Sequence, residues 1–189
     1  MSFKHLALFA LVAAVALSSV QTRAADAKEA AELAKKVAEG DAAERDSAER
    51  KLRDMGKDAI QALRDIKTDK EEATTRVRTV LADIAVETAK IDPADANTLH
   101  EIAREEGKGK RYSNAERLYR RAEQLFDKLK DDADTRRDKV KEQQYEDKRR
   151  ICDRMKDKAA RKLKGQTHTG VNLGFVRVGK DHDNSDDWE

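Results

Sequence analysis

The side chains best suited to metal binding gather near the end of the sequence. They are two histidines and four acids: His168, His182, Asp181, Asp183, Asp186 and Asp187. Imidazole and carboxylate groups are common ligands of divalent metals. Their order matches no EF-hand loop and no diagnostic ligand spacing. The segment 180–189, which holds five acids and one lysine, is therefore interpreted as a solvated acidic tail, and we predict neither a metal nor a cofactor.

The only cysteine, Cys152, is the one candidate nucleophile of its kind. A reactive thiolate needs neighbours that lower its pKa, and the sequence around Cys152 offers only general positive charge. A single cysteine cannot form an internal disulfide, so we predict a spare helix residue, with a disulfide between two chains as the alternative. The sequence contains no nucleophile elbow, zinc-protease motif, phosphate-binding loop or Cys-x-x-Cys pair. We predict that the protein is not an enzyme.

Basic residues could bind an anionic partner. The stretch KRRICDRMKDKAARKLK spans 148–164, and further cations lie between 108 and 121. Such clusters attract phosphates and anionic lipids. However, the 40 basic residues are interleaved with 38 acidic ones, for a net charge of +2. This balance argues against nucleic acid as a partner. An anionic envelope surface, such as lipid headgroups or polysaccharide, stays open as a partner, and so does an internal contact between the basic helix and 180–189.

The beginning of the chain is typical of a secretory signal peptide. Lys4 and His5 precede the apolar run 6–20, and small residues follow at Ala24 and Ala25. The run is shorter than the roughly 20 residues of a membrane-spanning helix. We predict a signal peptide over 1–24 and export to the periplasm or the extracellular space.

The rest of the sequence favours helices. Apolar residues recur at helical spacing over 26–39, 42–55, 58–66, 70–89, 93–106 and a last stretch that ends near 130. Three capping boxes are predicted, at Asp41 with Glu44, Thr68 with Glu71, and Ser113 with Glu116, and Asp92 with Pro93 predicts a further helix start. We divide the mature chain into a helical core over 25–130, a charged helical extension over 131–164 and a mostly disordered acidic tail over 165–189, in which 171–179 could form a short strand.

Residues 112–122, YSNAERLYRRA, predict close packing of two helices. Ala115, Tyr119 and Ala122 share one helix face, where small residues let two helices approach. The pattern resembles a tetratricopeptide repeat through Leu99, Ile102, Ala103, Tyr112, Ala115, Tyr119, Ala122 and Leu125. Glu106 and Asp127 depart from it, replacing a usual aromatic residue and the closing proline. No second unit follows, because Arg136 and Arg137 stand where apolar and small residues belong.

The segment 43–84 resembles a HEAT-like repeat of the kind found in exported bacterial proteins. The matching residues are Ala48, Leu52, Gly56, Ala59, Ala62, Leu63, Arg76 and Leu81. Such repeats pair helices through a short turn and stack into a solenoid. Both resemblances imply a role in protein–protein interaction.

Together these patterns predict an all-α fold: a short, solenoid-like core of antiparallel helical hairpins, a long charged C-terminal helix and a flexible tail. The expected function is an exported, non-enzymatic interaction or scaffold module that binds another protein. The alternatives are a coiled-coil-like protein that self-associates through 133–164, and a binder of anionic envelope surfaces through 148–164. Candidate partner-binding residues are Tyr112, Arg117, Tyr119 and Arg120. The alternative for the tyrosines is packing between helices, and for the arginines simple solvation.

Overall fold

The structure, a computed structural model, describes residues 26–169, and this part of the chain contains seven α-helices and no strand. The helices are α1 (26–39), α2 (Ala42–Met55), α3 (Lys57–Asp65), α4 (Glu71–Thr88), α5 (Pro93–Lys108), α6 (Tyr112–Thr135) and α7 (Lys139–Thr169). The predicted all-α fold is confirmed. The solenoid-like arrangement stays a prediction. The predicted signal peptide, the strand at 171–179 and the acidic segment 180–189 lie outside the described residues.

The chain divides into two compact units, one ending at Ile84 and one beginning at Ala85. In the first unit, α1 and α2 meet at a sharp turn. A side chain on Gly40 would bring its Cβ to 2.6 Å from the Lys36 carbonyl oxygen, so the turn requires glycine. The next residue, Asp41, forms the predicted capping box: its carboxylate accepts from the Glu44 amide at 2.9 Å, and the Glu44 carboxylate accepts from the Asp41 amide at 3.2 Å.

The core of the first unit is built from alanine, leucine, valine and isoleucine on one face of each helix. Its buried residues include Ala30, Leu33, Ala34, Val37, Ala48, Leu52, Ala59, Leu63, Ala73, Val77, Leu81 and Ile84. Polar contacts connect the helices around this core. Arg53 of α2 donates to Asp83 of α4 at 3.1 Å, and Arg76 of α4 donates to the Val37 carbonyl of α1 at 3.4 Å.

Two of the three predicted capping boxes are wrong. Helix α4 begins at Glu71, so Glu71 cannot occupy the third helical position of a box opened by Thr68. Thr68 instead accepts from the Lys70 amide through its hydroxyl at 3.3 Å. Helix α6 begins at Tyr112, which places Ser113 inside the helix. Arg111 occupies the cap position, and its side chain accepts no bond from the first amides of the helix.

The second unit is an antiparallel arrangement in which α6 packs against both α5 and α7. Asp92 caps α5 as predicted, accepting from the Ala94 amide at 2.7 Å, and Pro93 takes the first position. Helices α6 and α7 pack antiparallel. Glu123 contacts Lys156, whereas Lys130, later in α6, contacts Glu146, which lies earlier in α7.

The helix boundaries in this unit differ from the predicted ones. Gly107 does not break α5, which continues to Lys108 and is capped by Gly109. Helix α6 runs past 130 to Thr135, and α7 runs past 164 to Thr169. The predicted limits of the core and of the charged extension therefore fall inside helices. The sparse apolar residues of α7 pack on α6, where Cys152, Met155 and Ala159 are buried.

Candidate partner-binding surface on helices α6 and α7

The four predicted partner-binding residues do not share one environment. Arg117 and Arg120 are exposed on α6, and Tyr112 is half-buried at the beginning of that helix. Tyr119 is only 1% exposed. Its ring meets the His100 ring of α5 edge-on, with 5.6 Å between the centroids, and burial raises the pKa of its hydroxyl above the ordinary value. Tyr119 is a core residue and cannot contact a partner of the folded chain.

The tyrosine and alanine pattern of 112–122 therefore serves helix packing. Ala115, Tyr119 and Ala122 are buried on α6, and Leu99, Ile102 and Ala103 are buried on α5. The pattern of 112–122 predicted this close packing of two helices. Small side chains at 115 and 122 leave room for the Tyr119 ring between two helices.

At the turn between α5 and α6 lies a partly buried ion pair that the sequence did not predict. Glu106, the residue that departs from the tetratricopeptide pattern, is fully buried. Arg111 donates to both of its carboxylate oxygens, at 2.7 and 3.2 Å, and Asn114 donates to Oε2 at 3.2 Å. The sequence indicates this pair only through the spacing of Glu106, Arg111 and Asn114 around a turn that contains glycine. The pair fixes the turn and thereby the register of α6 on α5.

Charged side chains line the edge of the contact between α6 and α7. Lys156 of α7 donates to Glu123 of α6 and to its own neighbour Asp153, both at 2.8 Å. Arg149 and Arg150 both donate to Glu146, and these bonds lower the pKa of that carboxyl to about 2. Pairs near the surface add little stability singly. These pairs place opposite charges on the facing edges of α6 and α7.

Cys152 lies in the apolar centre of the same contact and is fully buried. Burial, with a contribution from Glu123, raises the pKa of the thiol to about 12, while Lys148 and Lys156 act in the opposite direction. The thiol is therefore protonated and shielded in the folded chain. These properties fit the predicted spare helix residue, and a disulfide between two chains would first require α7 to separate from α6.

The outer face of α7 carries a row of cations. Arg150, Arg154, Lys158 and Arg161 are spaced four, four and three residues apart, which places them on one side of the helix. We call these four residues the basic stripe. The three arginines are exposed and Lys158 is partly exposed. At a rise of roughly 1.5 Å per residue the stripe is about 16 Å long. Two acidic residues lie within its length: Asp157, and Asp153, which pairs with Lys156.

No group of three or more His, Cys, Asp or Glu side chains between 26 and 166 could hold a metal ion. The candidate ligands in 180–189, and the side chain of His168, lie outside the described residues. An open groove of about 300 Å³ in the first unit is lined by Leu33, Lys36, Ala43, Glu44, Ser47, Ala48 and Lys51. Its one carboxylate is already used by the capping box at Asp41.

Comparison of the chain with protein-family models, with curated proteins and with solved structures found no match. The resemblances to tetratricopeptide and HEAT-like repeats stay predictions that depend on the residues named above. Over residues 26–169, none of the helices is both long enough and apolar enough to cross a bilayer.

Proposed function

We propose that the chain is an exported, non-enzymatic interaction module that binds an acidic protein through the basic stripe of α7. The observation that carries the proposal is the division of α7 into two faces. One face packs Cys152, Met155 and Ala159 onto α6, and the opposite face presents the stripe to solvent. Packing on α6 holds the helix in place, so binding would cost little conformational entropy.

Arginine dominates the stripe, and its chemistry favours carboxylate partners. A guanidinium group donates two parallel hydrogen bonds to a carboxylate, whereas a lysine ammonium acts as a point charge. Side chains four residues apart on α7 are separated by about 6 Å along its axis. Carboxylates repeated every three or four residues on a partner helix have a matching separation, which makes an acidic helix face a suitable partner.

An anionic lipid surface is a weaker candidate for the same cations. Helices that bind a bilayer surface insert an apolar face between the headgroups. The apolar face of α7 is buried on α6, so only electrostatic adsorption would remain. Lipid vesicles are accordingly expected to bind less well than an acidic protein.

Self-association through 133–164 is disfavoured for the same reason. A coiled coil needs apolar residues that are free to meet a second helix. In α7 those residues already contact α6, and Val140, 70% exposed, is the large apolar residue that the helix leaves in solvent. We expect the chain from residue 25 onward to keep the mass of a monomer as its concentration rises.

Affinity capture from a native envelope extract tests the proposal. The chain from residue 25 would be compared with the double variant Arg154→Glu/Arg161→Glu and with the control Lys28→Glu/Lys35→Glu. The control changes two exposed cations that are also seven residues apart, on α1, and lowers the net charge equally. We expect the native chain and the control to retain the same protein, and the stripe variant to retain at least tenfold less of it. Equal retention by all three would refute the role of the stripe.

A second double variant, Arg117→Glu/Arg120→Glu, tests the arginines that the sequence singled out on α6. Arg120 already pairs with Glu116 of its own helix, so we expect a smaller loss than for the stripe variant. A larger loss would move the binding surface from α7 to α6.

A further inference from the structure

We infer that, in the absence of a partner, the acidic segment 180–189 of the same chain occupies the basic stripe of α7. The inference rests on the proposed function in treating the stripe as a binding site, but it concerns the isolated chain. A partner protein would then have to displace the segment. The stripe would then select for partners that bind more tightly than the segment 180–189, because an acidic protein must displace that segment.

Charge complementarity is the first argument. Between 148 and 164 the sequence has nine basic and two acidic residues, whereas 180–189 has five acids and one lysine. Within the described part of the chain, Arg150 pairs with Glu146, and Asp157 opposes the binding of acids. No ion pair with a described residue engages Arg154 or Arg161. These two arginines are thus available to carboxylates from elsewhere.

The length of the intervening chain is the second argument. Eleven residues, 170–180, separate Thr169, where α7 ends, from Asp181. A chain of that length spans at most roughly 40 Å when extended. The far end of the stripe, Arg150, lies about 28 Å back along the helix from Thr169, at the usual helical rise. The acidic segment can therefore reach every cation of the stripe.

The covalent linker also raises the effective concentration of the acidic segment at the stripe. A short linker that spans its two sites produces an effective concentration of the order of millimolar. Contacts between exposed charges are individually weak and are screened by salt, with a Debye length of about 10 Å at 0.1 M and about 3 Å at 1 M. We expect the segment to occupy the stripe at low salt and to leave it near 1 M salt. Such a contact would be displaceable, which suits competition with a partner.

Trp188 gives a direct test, because it is the one tryptophan of the chain and lies within 180–189. Its fluorescence anisotropy and its quenching by neutral acrylamide would be measured in the chain from residue 25, in Arg154→Glu/Arg161→Glu and in Lys28→Glu/Lys35→Glu. At low salt we expect at least twofold stronger quenching and lower anisotropy in the stripe variant than in the other two. Salt at 1 M should remove the difference. Circular dichroism would verify equal helix content.

A nitroxide label locates the contact. Asp157→Cys places a labelling site beside the stripe, and Glu32→Cys places one on α1, while the buried Cys152 should resist the reagent. We expect the label at 157, and not at 32, to quench Trp188 at low salt. If Trp188 in the native chain is as mobile and as easily quenched as in a free 180–189 peptide, the inference is wrong. If Trp188 is immobilised but indifferent to the stripe variant and to the label at 157, the segment binds elsewhere and the assignment to the stripe fails. Neither result would affect the capture experiment, which measures a separate protein.

Discussion

Replacing Arg111 with methionine would leave the Glu106 carboxylate buried without its cation. Glu106 is fully buried and takes two bonds from the Arg111 guanidinium, while Asn114 supplies a third. Breaking a buried ion pair by removing one partner typically costs about 3–5 kcal/mol, because an uncompensated charge remains in the interior. Asn114 would offset part of this cost, so we expect Arg111→Met to lower the free energy of unfolding by about 3 kcal/mol.

Urea denaturation followed by circular dichroism would measure the loss. Arg120→Met is the matched control, since it removes an arginine from an exposed pair with Glu116 on α6 and should cost less than about 1 kcal/mol. The double variant Glu106→Gln/Arg111→Met should be more stable than Arg111→Met alone, because a neutral amide has a smaller burial penalty than a charge. A loss for Arg111→Met no larger than that of the control would refute the reasoning, as would a double variant less stable than Arg111→Met.

Three further predictions concern α6, α7 and His100. Arg137 follows α6 with a φ of 59°, so Arg137→Gly should raise the free energy of unfolding by about 0.5–1 kcal/mol. Arg136 has a φ of −82°, so Arg136→Gly should lower that free energy. If both substitutions shift the urea midpoint in the same direction, this prediction is wrong. Cys152 should react with a thiol reagent at the rate of global unfolding, and rapid labelling of the native chain would show that α7 opens locally. Burial, aided by Lys148 and Arg104, lowers the pKa of His100 below its ordinary value of 6.5. The neutral His100 therefore contributes its full stability above pH 6.5, and this contribution is lost as the pH falls through the lower pKa of the folded state. His100→Gln should reduce the fall in the free energy of unfolding between about pH 7.5 and pH 5. An unchanged slope of that free energy against pH would exclude this effect.

The helices were predicted mainly from the periodicity of apolar residues and from the residues at helix ends. The apolar stripes of α4, α5 and α6 were readable because their buried residues recur every three or four positions. Asp41 and Asp92 were correctly predicted as caps, since each is followed directly by its helix. Thr68 and Ser113 showed the same local pattern but do not act as caps. At both sites the actual cap position lies two residues from the predicted one, at Lys70 and at Arg111. A four-residue motif cannot exclude such a displacement.

Contacts between distant segments were harder to predict. In the sequence, Glu106 stood out as a departure from a repeat pattern. Its burial could not be predicted, because it depends on a turn that returns Arg111 to it. The sparse apolar residues of α7 gave no indication that α6 would cover them, so 131–164 was interpreted as an extension. By spacing, Tyr119 was a candidate for partner binding as well as for packing between helices, and its burial excludes the first role.

The basic stripe itself was visible as a run of basic residues, but its orientation was not. Composition alone places nine cations between 148 and 164. Which of them face solvent is decided by the packing of Cys152, Met155 and Ala159 on α6. That orientation separates Arg154 and Arg161, on the outer face, from Arg149 and Lys156, which pair with acids at the edge of the contact between α6 and α7.

Photo-crosslinking from the stripe tests the central claim most directly. A photoreactive residue in place of Asp157, beside the stripe, would be compared with one in place of Glu32, exposed on α1, in a native envelope extract at moderate salt. We predict a crosslink from position 157, and not from 32, to one acidic protein, and its disappearance when Arg154→Glu/Arg161→Glu is added. Absence of a crosslinked protein at 157, or the same products from both positions, would contradict the proposal that α7 is a partner-binding surface.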